Sequence, residues 1–216
     1  MINEWTNAEH ARDYLQRLDD VPHRREGEAT LIAETPKAAR RVLDLGCGDG
    51  HLIALLLAHC DKATGVGLDV SPTMLTEAER RFAGDPRIRL VMHDLESPLP
   101  DLGQFDVIAS SFAIHHCSDD RKRAIYQEVW QALEPAGVFC NLEHVASPSR
   151  RVHKRFLEAM NTSTEEEDPS NKLLDVETQL RWLREIGYKD VDCYWKWREL
   201  ALLIGRKSGL AIQKEV

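Results

Sequence analysis

From Arg41 onward the chain alternates short apolar, β-rich runs with longer stretches of helical periodicity. The strand-like runs are RVLDLG from Arg41, ATGVGLDV from Ala63, IRLVMHD from Ile88, FDVIASSFA from Phe105 and GVFCNLEHV from Gly137. Helical patterns follow the first run (about Gly50 to Cys60), the second (Pro72 to Phe82) and the fourth (Asp119 to Leu133), and the turn Pro135 to Gly137 introduces the fifth run. Such alternation predicts an α/β fold, a parallel sheet with helices on both faces. Upstream, AEHARDYLQRL reads as one helix, and VPHRREGEATLIAE restarts a second after a proline and ends near Pro36.

Between Ser147 and Lys172 the alternation lapses. SPSRRVHKRFLEAMN predicts an inserted helix, and TSTEEEDPSN predicts a solvated loop. The basic residues Arg150, Arg151, Lys154 and Arg155 read as a charged face of that helix. A helix resumes at Val176 to Ile186. The last segment, YKDVDCYWKWRELALLIGRK, predicts two strands joined near Lys196, too close for a helical crossover and therefore antiparallel.

Composition narrows the classes. With 216 residues, 43% hydrophobic and 30% charged, the expectation is a single domain. The longest apolar run, Leu52 to Ala58, is far too short to cross a bilayer. The N-terminus has acids and amides where a secretory leader carries a basic patch and an apolar core, so a cytoplasmic location is expected. The five cysteines are odd in number and widely spaced, which fits neither a disulfide framework nor a CxxC metal pair. A net charge of −8 argues against broad binding to nucleic acid phosphates.

The strongest chemical signal is VLDLGCGDG, where an apolar strand breaks into Gly46, Gly48 and Gly50 just as a helix begins. Glycine there lets a ligand meet backbone N–H and C=O groups with no Cβ in the way, although a plain strand-to-helix turn also needs it. The spacing G-x-G-x-G departs from the dinucleotide fingerprint G-x-G-x-x-G, which would place glycine at His51 and favour a nicotinamide-dependent oxidoreductase. In GLDVSPTML, Asp69 ends the second strand and can accept hydrogen bonds from two ribose hydroxyls. Ser71 before Pro72 is then available to cap the next helix. His115 and His116 follow the fourth strand at the carboxyl edge, where open α/β sheets bind ligands. They are candidates for a base or a substrate contact. Together with Cys117 they are not expected to bind metal, because adjacent residues rarely point to one centre.

VLDLGCGDG, GLDVSPTML, HDLESPLP and FDVIASSFAIHH, in this order and spacing, resemble class I S-adenosylmethionine-dependent methyltransferases, and the likeness spans about Arg41 to Lys207. It implies a Rossmann-like doubly wound sheet of order 3-2-1-4-5-7-6, with the closing hairpin supplying an antiparallel last strand at the sheet edge. It also implies one methyltransferase domain over 1–216: an N-terminal helical lid (1–36), a cofactor-binding core (37–146), an inserted helix and loop (147–172), and a closing helix and hairpin (173–208). By the same resemblance, Gly46 and Gly48, with Cys47 between them, contact the methionine part of S-adenosyl-L-methionine, and Asp44 supports the loop and the ammonium. Asp69 takes the ribose. Val70 and Met74 flank the adenine, Asp94 accepts from its amine, Leu95 offers a backbone N–H, and Ser110 and Ser111 face the sulfonium.

The function so implied is methyl transfer to a small-molecule acceptor, leaving S-adenosyl-L-homocysteine, by a monomer or homodimer. His115, His116 or His144 could act as base. The first helices, with His23, Arg24, Arg25 and Glu26, and the inserted helix around Phe156 and Met160 would set specificity. Arg24, His144 and Phe156 are the candidates for substrate contact. The tail, with its VET, central glycine and aromatic-rich final strands, partly resembles the carboxy-S-adenosylmethionine synthase branch of tRNA-wobble modification. An enzyme of that kind and a non-catalytic S-adenosylmethionine-binding protein are the alternatives.

Overall fold

The computed structural model describes residues 4–17 and 21–209. Seven strands form one sheet: β1 (Arg41–Leu45), β2 (Thr64–Asp69), β3 (Ile88–Met92), β4 (Phe105–Ser111), β5 (Leu133–His144), β6 (Lys189–Trp197) and β7 (Leu200–Arg206). Their order is β3-β2-β1-β4-β5-β7-β6, and β7 runs antiparallel to both neighbours while the other paired strands are parallel. This is the order that the resemblance implies. The outermost strand, however, is β6, and the antiparallel β7 is threaded between it and β5.

Side-chain alternation along the central strands explains the two layers of helix. In β1, Val42 packs into one core with Leu31, Ile53 and Leu56, while Leu43 and Leu45 pack into the other with Ile125, Val129 and Leu183. Successive strand residues face opposite ways, so a strand that is apolar throughout needs cover on both sides. The first face is covered by α2 (Arg24–Glu34) and α3 (His51–His59), and the second by α5 (Asp119–Ala132) and α7 (Val176–Ile186). Between them in sequence lies α4 (Pro72–Arg81), beside β2 and β3 at the sheet's outer end. Ahead of the sheet, α1 (Ala8–Arg17) follows a short turn of helix at Glu4–Thr6.

The inserted segment contributes α6 (Arg150–Ala159), which lays Phe156 and Leu157 on Leu200 and turns Arg150, Arg151, Lys154 and Arg155 to solvent. Caps fix several ends. Ser71 accepts from the Met74 N–H with Pro72 in the first turn of α4, and Asp175 accepts from the Thr178 N–H at α7.

Three expectations shift. The fifth strand starts at Leu133, before the anticipated turn, because Phe105 pairs with Leu133 and the register then slips so that Val107 meets Val138, with Ala136 at φ 67°. The hairpin turns at Arg198 and Glu199 rather than near Lys196, with Arg198 at φ 52°. The acidic stretch after α6 is only partly solvated, since Asp168 and Ser170 pack on His116. Among the described residues, no helix is long and apolar enough to cross a membrane.

Candidate functional site

The carboxyl ends of β1, β2 and β4 open onto a cleft, which also meets the segment after β3 and residues from the N-terminal helices.

The turn after β1 is pinned to β2. The N–H groups of Gly46 and Cys47 both donate to the Leu68 carbonyl, each at 2.8 Å. Gly46 (φ +74°) and Gly48 (φ +53°) occupy left-handed conformations for different reasons. A Cβ on Gly46 would lie 2.1 Å from the Ala113 Cβ, so that glycine lets two segments touch. A Cβ on Gly48 would meet nothing within 4 Å, so its backbone stands open to the cleft. The Gly48 N–H donates to Asp69 Oδ2 (2.8 Å), and Asp69 Oδ1 accepts from the Ser71 N–H (2.8 Å). The Asp69 carboxylate is thereby held rigidly at the cleft wall, and burial raises its pKa.

Asp44, inside β1, is 1% exposed and lines the cleft, yet neither carboxylate oxygen has a hydrogen-bond partner among the described residues. Burial first, and then the charges of Asp69 and Asp49, push its pKa well above the usual carboxylate range, while Arg24 pulls the other way. An unpartnered buried carboxyl costs about 1–3 kcal/mol or more, so its retention at a cleft wall marks a place for a cationic or hydrogen-bond-donating partner.

Val70, Met74, Asp94 and Leu95 line one end of the same cleft, joined by His93 and Glu96. Asp94 Oδ1 accepts from the Glu96 N–H (3.0 Å), which orders that turn. The two serines closing β4 part company. Ser111 lines the cleft with its Oγ unpartnered among the described residues, whereas Ser110 is fully buried and donates to the Leu45 carbonyl (2.8 Å), tying β4 to β1 away from the cleft. Adjacent strand residues face opposite ways, so the expectation that both serines face a ligand is corrected for Ser110.

The histidines also separate. They sit on the short turn of helix Ile114–His116. His116 lines the cleft, whereas His115 is buried behind it with Nδ1 2.7 Å from Glu143 Oε1. Burial, with the charge of His144 next, lowers the His115 pKa well below its ordinary value, and burial lifts Glu143 to about 7. His144 and Phe156 do not reach the cleft: His144 Nε2 lies 3.1 Å from Glu199 Oε2, and its ring rests on Phe156. Arg24 does line the cleft, with Nε donating to Glu28 Oε1 (2.7 Å), and Glu28 Oε2 lies 3.2 Å from His51 Nε2. Trp5, Leu15 and Phe112 complete the wall. Sequence reasoning did not single out these three. Phe112, just beyond the serines of β4, carried a positional signal; Leu15 carried none beyond lying on the first helix, and Trp5, ahead of that helix, carried none.

A family model described as "Methyltransferase domain" matches residues 42–137. The chain is similar to a trans-aconitate 2-methyltransferase of Methylobacterium nodulans, 36% identical over 153 residues that cover 66% of this chain and 54% of that protein. It is 31% identical over 179 residues to a demethylmenaquinone methyltransferase of Clavibacter sepedonicus, covering 76% of this chain and 71% of that protein. The chain thus spans about half to seven-tenths of the length of these relatives. A solved structure of an O-methyltransferase family protein from Burkholderia thailandensis shares the fold, with a TM-score of 0.72, 19% identity, and coverage of 95% of this chain and 62% of that one.

Proposed function

The chain belongs to the class I S-adenosylmethionine-dependent methyltransferases, and from that premise we propose that it transfers a methyl group to a small-molecule acceptor held in the cleft beneath its N-terminal helices. The observation that carries the proposal is Asp44: a buried carboxyl with two bare oxygens in the cleft wall suits an amino group such as that of the methionine part of the cofactor. The rest of the wall fits the same ligand. Gly46 and Gly48 with Cys47 form its backbone cradle, and Asp69, pre-oriented by two N–H donors, is placed to accept from ribose hydroxyls. Val70 and Met74 would flank the adenine, with Asp94 and Leu95 at its polar edge and Ser111 towards the sulfonium.

S-Adenosylmethionine supplies a methyl group already activated on a positive sulfur, so the protein's part is to orient, to exclude water and to handle a proton. Trp5, Leu15 and Arg24, from the segment read as a lid (1–36), close one side of the cleft. The apolar and aromatic groups Trp5, Leu15 and Phe112 favour a small, partly apolar acceptor at that end, and the acceptors named for the two relatives are the first probes. His116 is the histidine placed to meet an acceptor; His115, His144 and Phe156 would support the wall from behind.

The test is calorimetric titration of the protein and of Asp69→Ala with S-adenosylmethionine, with mass spectrometry of any ligand carried through purification. Saturable micromolar binding that falls at least tenfold in the variant supports the reading, since each hydrogen bond to a charged group contributes about 1.5–3 kcal/mol. Absence of binding by the unaltered protein, or undiminished uptake by Asp69→Ala, removes it. A heavier, carboxylated ligand in the mass spectrum would replace methyl transfer with the carboxy-S-adenosylmethionine alternative.

A further inference from the structure

The acidic stretch after α6 enters the site from behind. Ser170 Oγ lies 2.8 Å from His116 Nδ1 and 2.7 Å from Asp168 Oδ1, and the Ser170 N–H donates to the same Asp168 oxygen at 2.8 Å. The stretch is fastened in place. The Lys172 N–H donates to the His115 carbonyl (2.9 Å), Lys172 Nζ donates to the His116 carbonyl (2.7 Å), and buried Lys122 donates to the Lys172 carbonyl.

We infer that Ser170 and Asp168 are a positioning pair that holds the His116 imidazole with its proton on Nδ1 and a lone pair on Nε2 available to the cleft. The inference rests on the methyltransferase reading for its chemistry, not for its geometry. A hydroxyl has one proton. An ionised Asp168 accepts only, so it takes that proton, and Ser170 Oγ turns a lone pair towards Nδ1, which must then be the donor. Burial tends to raise the Asp168 pKa, but the hydrogen bonds from Ser170, followed by the charges of His116 and of His10 (Nε2 3.9 Å from Oδ2), outweigh it and lower the value, so this acid is ionised near neutral pH. Burial also pushes the His116 pKa down to about 3, so the neutral ring carries one proton, and Nε2 is bare.

A bare Nε2 suits an acceptor that presents an O–H or N–H. The new O–C or N–C bond forms as the carbon–sulfur bond breaks with its electron pair going to sulfur. The acceptor's proton, made acidic as the methyl group adds, passes to Nε2, and the charge of Asp168, relayed through Ser170, offsets part of the burial that disfavours the imidazolium.

Long-range ¹H–¹⁵N correlation spectra of the full chain, with His116 assigned by His116→Gln, read the tautomer directly. The expected result is the Nδ1–H form in the unaltered protein. Ser170→Ala should shift the tautomer ratio towards Nε2–H by about tenfold, the size of one lost hydrogen bond. Asp168→Ala should do the same by freeing the hydroxyl to donate, and Ser170→Thr should keep the original form. An Nε2–H ring in the unaltered protein, or an unmoved ratio in well-folded Ser170→Ala, overturns the inference. The unaltered protein's spectrum decides even where a variant fails to fold. Loss of S-adenosylmethionine binding beside an intact Nδ1–H signal would instead overturn the methyltransferase reading and leave the positioning pair standing.

Discussion

Replacing Asp44 by asparagine should move binding and stability in opposite directions. Asparagine keeps the volume and removes the charge from a side chain that is 1% exposed and lacks any hydrogen-bond partner among the described residues. Two unit charges about 4 Å apart attract by about 4 kcal/mol at an effective dielectric constant of about 20. Part of that is offset, because the raised pKa means that the acid must shed a proton before it pairs. A net loss of about 2–3 kcal/mol follows, roughly 30- to 150-fold in the dissociation constant of S-adenosylmethionine. Without ligand, the folded protein holds the Asp44 proton more tightly than the unfolded chain does. The acid therefore costs nothing below about pH 3.9, and its cost grows as pH climbs towards the raised folded value. Asp44→Asn should accordingly melt higher than the unaltered protein near pH 8 and match it near pH 4. Isothermal titration in buffers of different ionisation enthalpy should also show proton release on binding in the unaltered protein and none in the variant. A variant that binds within twofold of the original and melts no higher at pH 8 would refute the reasoning, and a merely damaged fold would lower both quantities.

Other substitutions separate structural from ligand-facing roles. Gly46→Ala drives a methyl to 2.1 Å from the Ala113 Cβ at φ +74° and should cost about 3 kcal/mol, a melting-temperature fall of roughly 6–12 °C by scanning fluorimetry. Gly48→Ala, open to the cleft, should cost only about 1–2 kcal/mol while weakening S-adenosylmethionine binding in titration. Ser110→Ala loses a buried bond to the Leu45 carbonyl and should lower stability by about 1 kcal/mol with affinity retained; Ser111→Ala should do the reverse. Burial tends to lower the His153 pKa, but bonds to Glu199 and Glu167 outweigh it and raise the value. Its stabilising contribution is then full below about pH 6.5 and is lost as pH rises through the raised folded value. Melting curves of His153→Gln between pH 5.5 and 8.5 should show a flatter pH response than the original, and an identical response would count against the pairing.

The alternation of strands and helices and the residues on the sheet's carboxyl edge were legible because their signals are local, whereas the strand order followed from the family resemblance. A glycine-broken apolar strand and an acid closing the next strand announce themselves within a few residues, and Asp44, Gly48 and Asp69 do meet in one cleft. What escaped notice depended on parity or on long-range contact. FDVIASS does not say which serine faces the cleft until Val107 and Ala109 are known to share one core and Ile108 the other. The acidic run containing Asp168 and Ser170 has the composition of a solvated loop, and only tertiary contacts 54 residues apart in sequence bring it against His116. His144 and Phe156 lie near the site in sequence logic, but Glu199 on the closing hairpin draws the histidine towards α6 instead.

The threading of β7 between β5 and β6 has a consequence for how the chain is made. As the polypeptide leaves the ribosome, β5 emerges with its apolar Val138, Phe139, Cys140 and Leu142, and the N–H and C=O groups of its outer rim have no strand to meet until Leu200 to Arg206 are synthesised. For some sixty residues of translation the nascent protein carries a sticky border, an open template for pairing with other chains, so slow synthesis or premature termination between His144 and Leu200 is the interval of greatest aggregation hazard.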